Sequence, residues 1–328
     1  MNKTISFLAI SNCILLLYGS YVYSTNGNIK RFPTQLMELI EPDKTRIKNK
    51  CKWLSVSSEN LRICIFGSEQ SNTKLIIYGD SHAEALYDEL NQLLLEREIK
   101  GIFLQNDNCI LPKIEDMKNN LQKINCEKSL QGIAKVMREE NPSYTMISLR
   151  WTYRIYPLIN NSNRIFDNKE GGIERGNSVI RNEIKKTTVE LDQNKQDNLY
   201  SLLDILLVEN GRTFIIYQVP EVGWNVPMLN FKNYLNGNFG ADITTSKNVY
   251  IQRTSVIKKW LDEYVKKRAI DKIEPENIFC NHEYYQERCV AQYKNQPYYY
   301  DDNHLSNMGA KKLLNAFSKE LDADKNRN

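Results

Sequence analysis

Histidine is scarce in this chain, three residues in 328, and no Cys-x-x-Cys occurs. A site built on imidazoles or paired thiolates has almost nothing to draw on, so neither a metal nor a cofactor is expected. An excess of one charge is missing too: 44 Lys and Arg face 40 Asp and Glu, a net charge of +4. Basic runs such as Lys266-Lys267-Arg268 then read as solvated helix faces, and no footprint for nucleic acid is present. No internal repeat appears. The length suffices for one sizeable core with a small appendage.

One long uncharged run is present, from about Ile5 to Tyr23 with Leu15-Leu16-Leu17 at its centre. It is long enough to cross a bilayer, although Ser6, Ser11 and Asn12 make it modestly polar. Residues 1–24 are therefore expected to form a membrane anchor. A cleaved signal is the alternative, but Gly19-Ser20-Tyr21-Val22-Tyr23 lacks a small-x-small cleavage site. Residues 25–50, polar with Pro33 and Pro42, read as a linker on which Phe32 docks, and 51–328 as the functional domain.

Six of the seven cysteines fall in local couples: Cys51 with Cys64, Cys109 with Cys126, and Cys280 with Cys289. Six cysteines allow about fifteen connectivities, so spacing does not prove this set. Short loops closed by bridges suit an oxidising compartment, which places the body of the chain outside the cytoplasm.

The feature richest in chemistry is Gly79-Asp80-Ser81-His82. It ends the apolar run Lys74-Leu75-Ile76-Ile77-Tyr78 and begins the helical pattern Ala83, Leu86, Leu90, Leu93. A strand feeding a helix through a tight turn lifts a hydroxyl to the carboxyl edge of a sheet, beside the free N–H groups of the helix. Far downstream, Asp301-Asp302-Asn303-His304-Leu305-Ser306 puts an acid three residues before a histidine. A hydroxyl needs a base, and imidazole serves near neutral pH when a carboxylate holds it in one tautomer. Ser81 is thus the candidate nucleophile, His304 the base and Asp301 its orienting acid. His82 reads as a packing or orienting residue, and His282 as a surface residue.

These two blocks resemble the first and last motifs of the SGNH (GDSL-like) hydrolase superfamily. More narrowly, the chain resembles the extracytoplasmic SGNH domain fused to acyltransferase-3 proteins, which O-acetylate surface glycans. Gly27–Pro33, Cys109-Ile110-Leu111-Pro112, Ile147-Ser148-Leu149-Arg150-Trp151 and Tyr299–Ser306 carry the narrower likeness. The resemblance implies a three-layer α/β/α, flavodoxin-like fold with a central parallel sheet, here preceded by one transmembrane helix. It also implies acyl transfer, most simply of acetyl, to a surface glycan through an acyl-serine. The donor would come from a membrane acyltransferase-3 partner or from the rest of a longer fused protein, with the domain on the periplasmic face of the inner membrane. A carbohydrate O-acetyl esterase and a non-catalytic glycan-binding module are the alternatives. The superfamily's Gly-x-Asn-Asp block has no counterpart: the run from Tyr144 continues into Arg150-Trp151-Thr152-Tyr153. The Ser81 N–H and Arg150 are accordingly the candidate oxyanion donors, with Trp151, Trp224 and Asn225 as candidate substrate contacts.

Alternating signals predict strands at Leu75–Tyr78, Gly101–Gln105, Tyr144–Leu149, Thr213–Val219 and Asn277–Cys280. Helices are expected over Ala83–Arg97, around Leu130–Glu140 and Leu199–Val208, and over Ile251–Ala269 and Asn307–Leu321. Ligands of such sheets bind beyond the carboxyl ends of the strands. The polar stretch Asn160–Gln196 reads as an insertion or lid beside that edge.

Overall fold

The computed structural model describes residues 2–25, 27, 31–44, 47, 51, 53–56, 61–105, 120–155, 165–174, 193–209 and 211–325. Among these, strands β1 (Trp53–Val56), β2 (Leu61–Gly67), β3 (Lys74–Gly79), β4 (Lys100–Gln105), β5 (Tyr144–Ser148), β6 (Arg212–Ile216) and β8 (Asp271–Ile273) form one sheet. Its order is β1-β2-β4-β3-β5-β6-β8. The β4-β3-β5-β6-β8 part is parallel, while β2 joins β4 antiparallel and β1 joins β2 antiparallel. Numbered along the chain, the parallel strands run 2-1-3-4-5, the flavodoxin-like order, whose direction reverses at β3. A smaller antiparallel sheet holds β7 (Ile243–Ser246), β9 (Arg288–Tyr293) and β10 (Gln296–Pro297).

β3 shows why the run Leu75–Tyr78 becomes a central strand. All four side chains are fully buried, and they alternate between two cores. Leu75 and Ile77 face Leu90, Leu94, Leu313 and Phe317 on one side; Ile76 and Tyr78 face Ile133, Leu203, Trp260 and Leu261 on the other. A strand covered on both faces reads as a continuous apolar run, as seen here. The helices that cover it are α4 (Tyr87–Glu96) and α11 (Asn307–Lys325) on the first side, and α5 (Asn120–Glu140), α7 (Gln193–Ile205) and α9 (Lys247–Arg268) on the second. The three-layer architecture follows.

Several elements differ from expectation. Asn277–Cys280 is not a strand: Pro275 opens the short helix α10 (Pro275–Phe279), its missing N–H costing nothing at a first turn. The last parallel strand is Asp271–Ile273 instead. The helix after Ser81 is broken into α3 (Ser81–Glu84) and α4, with a turn at Ala85 and Leu86. Within the expected linker, Thr34–Ile40 forms α2, whose Leu36 and Leu39 are buried in contact with α8 (Val226–Leu235). Phe32 docks edge-on to Phe231, ring centroids 5.5 Å apart.

The N-terminal run is helical over Asn2–Ser24, helix α1. The expectation of a transmembrane anchor is not carried further: among the described residues no helix is long and apolar enough to cross a membrane. Ser11, Asn12, Gly19 and Ser20 dilute the apolar centre at Leu15–Leu17. Disulfides join Cys51 to Cys64 and Cys280 to Cys289. Cys126 is disulfide-bonded as well, while its expected partner Cys109 lies outside the described residues. So do most of 160–196, save 165–174 and 193–196.

Gly79 is held by close packing. A Cβ there would lie 2.0 Å from the Ser148 carbonyl oxygen and 2.5 Å from the Ala83 Cβ. Since neither neighbour is the tip of a flexible side chain, Gly79→Ala should cost about 1–3 kcal/mol. Urea denaturation measures this, and an unchanged midpoint would contradict it.

Candidate active site

Ser81 leaves the sheet at the carboxyl end of β3, where the strand order reverses. Asp80 caps the following turn, its Oδ1 accepting from the His82 N–H at 3.0 Å. The same carboxylate accepts the Arg150 N–H from the neighbouring strand end, 3.3 and 3.2 Å to its two oxygens, and Arg154 Nε at 3.1 Å. It is 3% exposed. Asp80 therefore binds the ends of β3 and β5 together, while Ser81 itself is exposed.

The downstream acid and base arrive from the loop between β10 and α11. A bridge between Tyr299 and Leu305 closes this loop, and Ser306 caps α11 by accepting from the Gly309 N–H at 3.2 Å. Inside it, Asp301 Oδ1 accepts the Asn303 and His304 N–H groups at 2.9 and 2.7 Å, and Oδ2 lies 2.7 Å from His304 Nδ1. His304 Nε2 lies 2.8 Å from Ser81 Oγ. Burial pushes the Asp301 carboxyl upward, but the bonds from His304 and the two N–H groups outweigh it and hold the proton affinity below the usual carboxylate value. Ionised Asp301 accepts a hydrogen bond from the Nδ1–H group, which leaves the Nε2 lone pair facing the Ser81 hydroxyl. Tyr300 stacks on the His304 ring at 5.4 Å with planes 3° apart. From outside, Val222 and Gly223 donate to the Asp302 carbonyl and Val226 to that of Asp301.

His82 lies beside His304 rather than in the line of proton transfer, ring centroids 4.9 Å apart. Its Nε2 is 3.1 Å from Asn303 Oδ1, and Asn303 Nδ2 donates to Asp302. The Asn303 amide oxygen is thereby the acceptor, so His82 carries its proton on Nε2. Desolvation chiefly, and then His304, lower its pKa to about 4. A neutral ring is thus kept next to the base.

Arg150 does not supply a free guanidinium. Nη1 and Nη2 bind Glu174 at 2.7 and 2.6 Å, while Nε donates to Glu221 Oε1 at 2.8 Å and Nη2 also contacts that oxygen. Both carboxylates together outweigh the desolvation that would discharge it. Glu221 also accepts from Arg253 Nε at 3.0 Å and from the Thr152 hydroxyl at 3.2 Å. Burial raises the Glu221 proton affinity, yet the two arginines prevail and bring its pKa to about 2. Glu174 belongs to 165–174, the described part of the expected insertion, and Arg150 fastens that segment to the domain.

The other candidate contacts also have structural partners. Trp151 is fully buried, its indole N–H donating to the Ile216 carbonyl at 2.8 Å. Trp224 packs against Gly171 and Gly172 of the fastened segment. Asn225 caps α8, accepting from the Met228 N–H at 3.0 Å. Sequence reasoning did not find Glu174, Glu221, Arg253, Asn303 or Arg154. The signal available was an acid, Glu221, in the apolar Val219-Pro220-Glu221-Val222 that follows β6.

A flavodoxin-like sheet thus carries a Ser-His-Asp line at its reversal point. The family model of the SGNH domain (fused to AT3 domains) matches residues 50–319, and the chain belongs to that family. Among solved structures the chain is similar to the lipopolysaccharide acetyltransferase periplasmic domain of Salmonella ser. Paratyphi A. They are 16% identical with a TM-score of 0.48, over 93% of this chain and 95% of that chain. It is also similar to a GDSL-like lipase from Bacteroides thetaiotaomicron VPI-5482, 10% identical with a TM-score of 0.37, over 76% and 89%. A search of the curated proteins returns no match.

Two strongly lowered proton affinities contribute to the acid limb of stability, alongside that of Asp301. As pH falls, the unfolded chain protonates His82 near its ordinary 6.5 and Glu221 near 4.5, whereas the folded groups resist to about 4 and about 2. The contribution of each is therefore complete above its ordinary value. Stability should fall between pH 6.5 and 4 through His82, and between 4.5 and 2 through Glu221. Denaturation midpoints across pH check this: His82→Gln should flatten the upper step. Glu221→Gln should cost about 3 kcal/mol at neutral pH, because the carboxylate shared by Arg150 and Arg253 is lost and Arg150 keeps only Glu174.

Proposed function

We propose that Ser81, His304 and Asp301 form a catalytic triad that transfers an O-acyl group, most simply acetyl, to a cell-surface glycan. The observation that carries this reading is the continuous line from Asp301 Oδ2 through the His304 ring to Ser81 Oγ, with contacts of 2.7 and 2.8 Å. Ser81 Oγ bonds to the carbonyl carbon of the acyl donor as its proton passes to His304 Nε2. The carbonyl oxygen becomes an oxyanion beside the Ser81 N–H, and this group donates to no other among the described residues. Collapse re-forms the carbonyl, breaks the bond to the leaving group, and returns the proton from His304 to it. An acceptor hydroxyl then gives its proton to His304, attacks the acyl-serine, and restores the Ser81 hydroxyl as the ester leaves.

Membership of a family described as fused to AT3 domains supports an AT3 membrane acyltransferase as donor, supplied as a separate partner or as the remainder of a longer protein. The disulfides support an extracytoplasmic site of action. A Ser-His-Asp line serves hydrolysis as well as transfer, and exclusion of water decides between them.

Turnover of an aryl acetate by the domain should fall by about 10⁴-fold or more in Ser81→Ala, and by about 10³–10⁴-fold in Asp301→Asn with its geometry intact. Equal rates in wild type and Ser81→Ala would remove the enzyme and leave the glycan-binding module. With an oligosaccharide added, mass spectrometry should find acetyl on the sugar; free acetate alone would assign an esterase.

A further inference from the structure

We infer that Arg154 provides the second oxyanion donor, the place for which Arg150 was the sequence candidate; this rests on the acyl-serine reading of Ser81. Gly79 lies opposite Ser148 in the β3–β5 register, so the chains carrying Ser81 and Arg150 leave the sheet edge side by side. The short helix α6 (Trp151–Ile155) begins there, and the Arg154 N–H bonds to the Arg150 carbonyl at 3.2 Å, one turn further on. That places Arg154 one helical turn beyond the strand end that adjoins the nucleophile turn.

Its side chain is tethered to the turn itself. Arg154 Nε donates at 3.1 Å to Asp80 Oδ2, and the other oxygen of Asp80 accepts from the His82 N–H at 3.0 Å. One carboxylate thereby fixes the guanidinium relative to the backbone on either side of Ser81. Nη1 and Nη2 of Arg154 have no hydrogen-bond partner among the described residues, and the side chain is 20% exposed. Arg150, by contrast, has every guanidinium nitrogen bonded to Glu174 or Glu221. Of the two, Arg154 is the arginine with donors to give.

The chemistry calls for such a group. When the Ser81 Oγ–carbon bond forms, the carbonyl electron pair moves onto oxygen, and the Ser81 N–H is a single donor to that charge. A guanidinium held at one nitrogen offers the rest without reorganising, and losing one donor of this kind lowers kcat by about 10²–10³-fold. No Asn is needed at the end of β5 once an arginine stands one turn beyond it.

The test compares aryl acetate turnover in wild type, Arg154→Ala, Arg154→Lys and Ser81→Ala, with melting temperatures and with added guanidinium chloride at low concentration. The inference expects Arg154→Ala to lose about 100-fold in kcat with KM within about threefold. Arg154→Lys should be intermediate, and guanidinium should restore part of the Arg154→Ala rate in a saturable way. Rescue of rate without rescue of melting temperature separates a group that touches the oxyanion from one that only braces Asp80. Full kcat in Arg154→Ala, with Ser81→Ala inactive, overturns the inference and leaves the acyl-serine reading standing. A loss that guanidinium does not relieve, equal in Arg154→Lys and accompanied by a lower melting temperature, overturns it in favour of a bracing role. No Ser81-dependent turnover by folded wild type overturns both.

Discussion

The Asp301 carboxylate is the group on which this site depends. One oxygen accepts from the His304 ring N–H and the other from two backbone N–H groups of the same loop. A single side chain therefore sets the loop's shape, the tautomer of the imidazole and the direction of its free lone pair. The remaining contacts hold this unit to the body: the Tyr299 hydroxyl reaches the Pro220 carbonyl, and the segment after β6 donates to the carbonyls of Asp301 and Asp302. Ser81 needs only to be presented at the opposite edge of the ring. A glycine that permits close approach of β3 to β5, and a capping aspartate, achieve that.

Behind the Ser81–His304–Asp301 line lies a second layer of largely buried charge. Arg150, Glu174, Glu221 and Arg253 neutralise one another at the carboxyl edge of the sheet. Breaking such a cluster costs more than replacing it whole would, because each remaining charge is left desolvated. What it accomplishes here is geometric: it fastens 165–174 across the ends of β5 and β6, where an irregular segment has few backbone partners of its own. His82 adds a related constraint. As a buried neutral ring against His304 it fills space and fixes Asn303 without adding a charge beside the His304 ring.

The strand-turn-helix at Ser81 and the acid-base pair three residues apart were legible in the sequence, because each is local and each has a spacing that follows from its chemistry. The apolar run Leu75–Tyr78 announced a strand covered on both faces, and Ser306 announced a helix cap. What stayed hidden depended on distant partners. Arg150 looked like a free cation until Glu174 and Glu221, 24 and 71 residues away, were brought to it. Trp151 and Asn225 looked available for substrate, yet an indole accepted at Ile216 and an amide capping α8 are spoken for by the fold. β1 and β2 escaped notice because a disulfide-linked antiparallel edge carries no helix signal between its strands. The apolar character of Ile278 and Phe279 suggested a strand, and Pro275 decided for a helix.

The central claim is a covalent one, so the most direct measurement looks for the covalent bond. Acid quenching during turnover of an acetyl ester, followed by peptide mapping, should find acetyl on the peptide containing Ser81 in wild type. The adduct should be absent from His304→Ala quenched at the same time. Acetyl on any other residue, or turnover with unmodified Ser81 under conditions that trap an ester, would contradict the account.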